Sequence, residues 1–232
     1  MTQNQLPDGL KLPAKAVSVL ADYIPKIDPR YYLKAVHVVP QQSGGVVMFA
    51  SDGHQMAVWR SNEGSCSEHV ALAVTKELIA ACTKKSDKRY NIHSPRYVVN
   101  LGGRLAVINE MEEEIFIQAG QNSLIDLQGS SFSPKKLLRV VPADMTEQDT
   151  LHGDFINSDL VRRLVVTSKK VAPLKKIAGM RHYQKAASKV IVTMFVDETD
   201  LIICTMPLWR VDGFEGLPSW MRSLVPTGDG KQ

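Results

Sequence analysis

The sequence predicts an α+β fold in which helices lie on one face of antiparallel sheets. Two observations predict it. Short runs with the pattern of strands, joined by tight turns, occur in three successive groups along the chain, and each group is accompanied by a short amphipathic segment. A parallel βαβ fold would require a helix between every pair of strands, which this order of elements disfavours. The 232 residues, 44% of them hydrophobic, suffice for one large domain or two small ones.

The first unit begins with a helix predicted over residues 13–26, where Pro13 suits the first turn. Its apolar stripe at helical spacing consists of Val17, Leu20, Ala21 and Ile24. Strands are then predicted over residues 32–38, 46–50 and 56–60. The turns between these strands are marked by Gly44-Gly45 and by Ser51-Asp52-Gly53.

The second unit repeats this order. A strand over 70–74 precedes a helix that Thr75 can cap, and a basic cluster at 84–89 ends that helix at its negative end. Strands are predicted over residues 97–101, 104–109 and 115–119, with a further short strand over 123–127.

The third unit has a helix that Asn157 or Ser158 can cap. We expect its inward side chains to be Leu160, Leu164 and Val165, and its outward ones Arg162 and Arg163. Residues 178–189 read as an exposed basic loop. Strands over 190–196 and 201–206 are predicted to form a hairpin around a turn at 197–200. The three units repeat a pattern of elements and share negligible identity.

Charge is segregated along the chain. The net charge is +4, and residues 159–189 hold nine Lys and Arg residues against a single acid, Asp159. Acidic residues concentrate elsewhere, as in the run over 110–114, which we interpret as a solvated strand edge or turn. A protein with separated signs presents one face to an anionic partner.

Several classes of protein are disfavoured. No apolar run reaches the length of about 18 residues that a membrane span needs, and the first residues show no secretory signal pattern. Three scattered cysteines without metal-ligand spacing favour a cytoplasmic protein. The six histidines lack metal-ligand spacing, and no phosphate-binding loop is found. We therefore expect no enzyme, no cofactor and no metal, although Asp52 with His54 leaves a small hydrolase as an alternative.

Three segments resemble the bacterial DNA sliding clamp, the β subunit of DNA polymerase III. Residues 51–57 read Ser-Asp-Gly-His-Gln-Met-Ala, similar to the Thr-Asp-Gly-His-Arg-Leu-Ala strand of that family. Residues 132–142 resemble its Phe-Pro-x-x-Arg-Arg-Val-x-Pro pattern with about two additional residues. Residues 206–210 read Met-Pro-Leu-Trp-Arg, where the family has Met-Pro-Met-Arg-Leu.

The resemblance implies the sliding-clamp fold for a short or truncated relative. It predicts a complete clamp-like domain over 1–145, a half or truncated second domain over 146–225 and a disordered tail over 226–232. Family clamps have three domains in each chain and close as a dimer of six. One and a half domains do not divide into that ring, so a closed ring is doubtful and the number of chains in a homo-oligomer stays open.

The resemblance also implies two surfaces. In clamps the helices face duplex DNA and contact phosphates without reading bases. The predicted DNA-binding residues are Lys84, Lys85, Lys88, Arg89, Arg162, Arg163, Lys169 and Lys170.

The three motifs also imply a groove that captures short linear motifs of DNA polymerases or repair proteins. Its predicted lining is Ser51, Gly53, His54, Gln55, Met56, Pro134, Arg139, Val140, Met206, Pro207, Leu208 and Arg210. Gln55 replaces the arginine of the family motif, which puts the same set of partners in doubt.

The function that the resemblance implies is that of a non-enzymatic accessory protein in DNA replication or repair. It would bind double-stranded DNA without sequence preference and partner proteins in the groove, with no membrane partner. The alternative is a non-ring protein of the same fold, used as a DNA-binding regulator or as a decoy for clamp partners.

Overall fold

The computed structural model describes residues 6–84, 91–118, 123–127, 132–139, 141, 156–172, 179–184 and 190–207. The helices are α1 (Ala14–Leu20), α2 (Lys76–Cys82), α3 (Pro134–Leu138) and α4 (Ser158–Val171). The first strands are β1 (Lys11–Pro13), β2 (Val36–Pro40), β3 (Val46–Ser51), β4 (Gln55–Ser61) and β5 (Val70–Leu72). The others are β6 (Tyr97–Leu101), β7 (Arg104–Ile108), β8 (Glu114–Ile117), β9 (Met180–Tyr183), β10 (Ile191–Phe195) and β11 (Glu198–Thr205). Short 3-10 helices cover Ala21–Tyr23, Tyr31–Leu33 and Asn91–His93.

The described strands form two antiparallel sheets. One has four strands in the order β1-β6-β7-β8, and the other has seven in the order β5-β2-β3-β4-β11-β10-β9. The predicted α+β class with antiparallel sheets is therefore confirmed.

The first two units of the chain exchange their leading strands. β1, which precedes α1, pairs with β6 of the second unit, and β5, which precedes α2, pairs with β2 of the first unit. The helices α1 and α2 also pack against each other. Each unit thus completes the sheet of the other, so neither sheet is whole without both units.

The third unit continues the larger sheet of the first. β11 pairs with β4 in a register that runs from Leu201 opposite Trp59 to Thr205 opposite Gln55. This junction joins last strand to last strand, whereas the first two units join through helices and leading strands. Both junctions occur in this one chain.

Side-chain alternation gives the larger sheet two apolar faces. On one face, residues such as Met48 and Ile203 join the main core, to which all three units contribute. Their neighbours along the strands, Phe49 and Cys204, belong to a separate apolar cluster on the opposite face. α1, α2 and α4 contribute to the main core, so these helices lie on one side of the sheet.

Capping residues fix where the helices begin. Thr75 Oγ1 accepts a hydrogen bond from the Leu78 backbone, and Asn157 Oδ1 accepts one from the Asp159 backbone. Both satisfy amide groups that have no partner inside the helix. The predicted Thr75 cap is confirmed, and of the two candidates for the second cap the structure selects Asn157.

Several predicted boundaries were wrong. Residues 180–183 form β9, because pairing with β10 overrides the basic composition that suggested a loop. The last hairpin turns at 196–197, so that β11 begins at Glu198. The first helix ends at Leu20 and continues as a 3-10 helix, since its predicted length ran into the segment before Pro25. The tail over 226–232 lies outside the described residues.

Candidate functional site

Three helices stand side by side on the main-core face. α1 packs against both α2 and α4, and six of its seven residues are buried. Its exposed residue, Lys15, is paired with Glu198 at 2.8 Å. The central helix therefore contributes support, and the outer surface of the layer comes from α2 and α4.

The four cations predicted on α4 divide into two pairs. Arg162 and Lys169 are exposed, and no ion pair to either is found among the described residues. Since a helix advances roughly 100° per residue, both project from the side opposite the buried stripe of Leu160 and Leu164. They are the α4 cations best placed to contact an anionic partner.

Arg163 and Lys170 point back toward the first unit. Arg163 is paired with Asp52, and its guanidinium carbon lies 5.4 Å from the centre of the Tyr23 ring. Lys170 Nζ lies 2.6 Å from Asp22 Oδ2. The prediction that Arg163 points outward and Val165 inward was wrong: Arg163 is partly buried in this ion pair, while Val165 is 39% exposed.

The second helix contributes fewer described cations. Lys84 is exposed just after its end, and Lys76 is exposed in its first turn beside Glu77. The other predicted DNA-binding residues fall outside the described residues, and these are Lys85, Lys88 and Arg89.

A tight turn between β3 and β4 carries the first motif of the predicted groove. Asp52 Oδ1 accepts hydrogen bonds from the His54 and Gln55 backbones at 2.9 and 2.8 Å. Gly53 has φ +89°, and a Cβ there would lie 2.8 Å from Arg30 Nη2. Glycine is favoured because the turn needs this backbone conformation, which residues with a side chain rarely adopt.

Asp52 acts within this turn as an acceptor. Burial alone would raise its pKa, but the hydrogen bonds from the Gln55 backbone and from Arg163 outweigh it and hold the pKa below its usual range. Both carboxylate oxygens are therefore engaged, Oδ1 within the turn and Oδ2 with Arg163. This arrangement gives no support to an acid–base pair with His54.

The last strand of the chain brings the third motif beside the first. The Met206 backbone donates a hydrogen bond of 2.9 Å to the His54 carbonyl. His54 is exposed, Met206 is 43% exposed and Pro207 is partly exposed. Leu208 and Arg210 lie outside the described residues.

Gln55 lies beneath this surface. It is 1% exposed, and its Nε2 donates to the Leu160 carbonyl at 3.2 Å and to Thr205 Oγ1 at 3.0 Å. One side chain thus connects the turn, α4 and β11. Ser51 and Met56 are also buried, at 6% and 4% exposure. All three support the surface from below and are not open to a ligand in this conformation.

The segment carrying the second motif covers the separate apolar cluster. Leu137 and Leu138 of α3 pack against that cluster, which includes Met56. Pro134 at the start of α3 is partly exposed and Arg139 at its end is exposed. The first and third motif segments are thus hydrogen-bonded to each other, and the second packs against a cluster that includes Met56 of the first. Val140 lies outside the described residues.

An aromatic stack anchors the same segment. The ring of His37 is stacked between Phe49 at 4.9 Å and Phe132 at 4.5 Å, measured between centroids. His37 Nε2 donates to the Tyr32 carbonyl at 2.7 Å, and its Nδ1 lies 3.3 Å from His69 Nε2. No motif in the sequence pointed to this stack, because its members come from four separate segments.

No group of three or more metal-ligating side chains is found in the described part of the chain. None of the helices in that part has the length and hydropathy of a transmembrane segment.

Comparisons with known proteins give matches only among solved structures. No protein-family model matches the chain, and no curated protein matches its sequence. The Pseudomonas aeruginosa sliding clamp bound to griselimycin matches with a TM-score of 0.55 and 15% identity, over 90% of this chain and 68% of that chain. The Bartonella birtlesii clamp bound to griselimycin matches with a TM-score of 0.54 and 14% identity, over 91% of this chain and 69% of that chain. The Thermotoga maritima DNA polymerase III β subunit matches with a TM-score of 0.52 and 8% identity, over 94% of this chain and 67% of that chain.

The chain has the fold of the bacterial DNA polymerase sliding clamps and spans about two thirds of the length of those chains.

Proposed function

We propose that this protein is a non-enzymatic accessory factor of DNA replication or repair. It binds duplex DNA without sequence preference through the outward cations of the helix layer. The observation that carries the proposal is the side-by-side packing of α2, α1 and α4, with Arg162 and Lys169 exposed on α4 and Lys84 exposed just after α2.

The electrostatics of this layer suit contact with phosphates. Arg162 and Lys169 lie on α4, which holds them on one side of the sheets. Arg163 and Lys170 are already paired with Asp52 and Asp22, so they contribute less field toward a ligand. Phosphate contacts of this kind carry no base information, and their strength falls with salt concentration.

Charge reversal tests whether the outward cations of α4 contact DNA. We expect Arg162→Glu with Lys169→Glu to weaken binding equally to unrelated duplexes and to reduce the slope of log K against log salt by about 2. The measurement is a fluorescence-anisotropy titration at several salt concentrations. Arg60→Glu is a matched control, because Arg60 is exposed on β4 and paired with Asp200. A loss of DNA affinity that is equal in the double variant and in Arg60→Glu would contradict the proposal. So would a loss confined to one duplex sequence.

The second proposed activity is the capture of short linear motifs. The supporting observations are that Met206 is hydrogen-bonded to the His54 turn and that α3 packs against the apolar cluster that includes Met56. Met206 offers a flexible apolar side chain, and His54 and Arg139 offer polar groups that can orient a peptide backbone. DNA polymerases and repair proteins are the proposed sources of these motifs.

Griselimycin is a practical probe, because two of the structural neighbours were solved bound to it. We expect Met206→Glu to lower griselimycin affinity at least tenfold in isothermal titration calorimetry. Met111→Glu is the control, since Met111 is 55% exposed in the turn before β8. Binding that is unchanged by Met206→Glu would exclude this surface.

The alternative function is that of a non-ring regulator or a decoy for clamp partners. A protein that binds griselimycin but shows no affinity for duplex DNA would support the decoy function over the accessory factor.

A further inference from the structure

One short segment covers the separate apolar cluster, on the face of the larger sheet opposite the helices. The buried members of the cluster lie on or next to strands of that sheet, and they are Phe49, Met56, Val58, Val190, Val192 and Cys204. The other described side chains packed on it come from strands of the same sheet or from the α3 segment, which we define as residues 132–139 with Val141. The α3 segment contributes Phe132, Leu137, Leu138 and Val141. Displacing it would therefore uncover the cluster while every strand stays paired.

Apolar and aromatic contacts hold the α3 segment in place. Its helix has five residues, none of them buried, and no side chain caps its start. Among the described residues, the hydrogen bonds of the segment stay within residues 133–141, and it forms no ion pair with the rest of the chain. A helix this short is not stable by itself in water. Its position thus depends on the cluster and on the stacking of Phe132.

The α3 segment places an aromatic ring over a buried histidine. Phe132 is stacked on His37 with 4.5 Å between ring centroids and on Tyr32 with 4.9 Å. The other face of the His37 ring lies against Phe49, its cross-strand neighbour on β3. His37 is 1% exposed. Since Phe49 is fixed in the sheet, it is movement of Phe132 that would open the His37 ring to water.

The groups around His37 accommodate only its neutral ring. Before β2, the Tyr32 carbonyl accepts from Nε2, and before β5, His69 Nε2 faces Nδ1 at 3.3 Å. Phe49 and Phe132 present uncharged ring faces. The cations of the α3 segment are exposed, and they are Lys135, Lys136 and Arg139. The charge that acts on His37 is that of His69, which opposes protonation. A second proton at Nδ1 would therefore face a donor, and no described carboxylate contacts the ring to accept it.

We propose that the α3 segment is a detachable cover that docks only while His37 is neutral, so that acidification releases it and uncovers the separate apolar cluster. The docked segment excludes the second proton, whereas a His37 ring freed from Phe132 takes it up from water. This inference rests on the packing of the segment and holds whether or not the proposed function is correct. Only one consequence, the uncovering of Met56 beside the proposed groove, depends on that function.

The direction and size of the effect follow from proton linkage. Burial lowers the pKa of His37 to about 4 in the docked state, from an ordinary value near 6.5. Docking is therefore fully favoured above pH 6.5 and is lost as the pH falls toward 4. Between pH 7 and pH 5 the ratio of released to docked chains should rise about 20-fold. Burial lowers the pKa of His69 as well, which acts in the same direction.

The chain contains a thiol that can report release. Cys204 is free, 3% exposed and part of the separate apolar cluster. Labelling with a dipyridyl disulfide at pH 7, 6 and 5, followed by peptide mass spectrometry, measures how often this thiol is uncovered. Dividing each rate by that of a short cysteine peptide at the same pH removes the ordinary effect of pH on thiol chemistry. Urea denaturation at each pH gives the labelling rate that global unfolding alone would allow.

We expect the corrected Cys204 rate to exceed the rate that global unfolding allows, and to rise about 20-fold from pH 7 to pH 5. His37→Phe should remove most of the rise, because the new ring can still stack but cannot titrate. His182→Phe is the matched control and should keep the rise. Burial lowers the pKa of His182 too, but its ring bonds Thr193, which alternates with Val192 and so lies on the opposite face of the sheet.

Phe132→Ala keeps the test independent of the histidine variants. It should raise the Cys204 rate at pH 7 and flatten its dependence on pH, with an unchanged circular dichroism spectrum. A Cys204 rate no faster than global unfolding allows, or a rise of wild-type size in His37→Phe, overturns the proposal. The test uses neither DNA nor a peptide ligand, so its failure would leave the proposed function untouched.

Discussion

Lowering the pH from 7 to 5 should destabilise the protein, because His37 is buried as a neutral ring. Its side chain is 1% exposed and stacked between Phe49 and Phe132. A carbonyl can only accept, so Nε2 carries the proton given to Tyr32, and Nδ1 then accepts from His69 Nε2. A second proton on His37 would make Nδ1 a donor that faces the donor on His69.

The pKa of His37 gives the size of this loss of stability. Burial lowers it to about 4; the hydrogen bond to Tyr32 opposes the shift and the charge of His69 adds to it. The pKa is depressed, so the unfolded chain takes up the proton more readily. The stabilisation is present above the unfolded value near 6.5 and is lost as the pH falls toward 4. Between pH 7 and pH 5 the free energy of unfolding should fall by about 2 kcal/mol.

Urea denaturation at pH 7, 6 and 5 measures this loss directly. His69 and His182 contribute in the same direction, since burial lowers the pKa of each. His37→Phe should remove most of the pH dependence while keeping the stack. An unchanged free energy of unfolding between pH 7 and pH 5 in the wild type would refute the reasoning.

Two further predictions concern stability. Gly45→Ala should cost more than about 1 kcal/mol and more than Gly44→Ala, as measured by urea denaturation. Both glycines have positive φ, but only at Gly45 would a Cβ clash with the backbone carbonyl of Ser61; equal costs would contradict the clash. Arg163→Ala should cost about 2 kcal/mol by leaving Asp52 without its partner, whereas Arg162→Ala should stay within about 0.5 kcal/mol. Equal thermal melting of the two arginine variants would contradict the inward placement of Arg163.

Local patterns in the sequence were sufficient for most of the secondary structure. Short apolar runs over 46–50 and 56–60, bounded by turn residues, predicted β3 and β4, and Thr75 marked the start of α2, because these signals act within a few residues. The same local patterns identified the turn over residues 51–54 and Met206, but as two separate motifs. The resemblance, and not the local pattern, suggested that these two motifs belong to one site.

What the sequence could not give depends on long-range packing. Arg163 and Val165 both fit an amphipathic helix in either orientation, and the acceptor that draws Arg163 inward is Asp52, 111 residues earlier. Gln55 appeared to be a groove residue, yet its bonds to Leu160 and Thr205 bury it at the junction of two units. Such partners leave no periodic signal in the sequence.

The positions that touch duplex DNA test the central claim most directly. A photo-cross-linking side chain placed at Arg162 or Lys169, on the helix layer, should cross-link to duplexes of any sequence. The same group at Lys135 or Arg139, on the opposite face of the larger sheet, should not. Equal cross-linking from both faces, or cross-linking from α3 alone, would contradict the assignment of the helix layer as the DNA-facing surface.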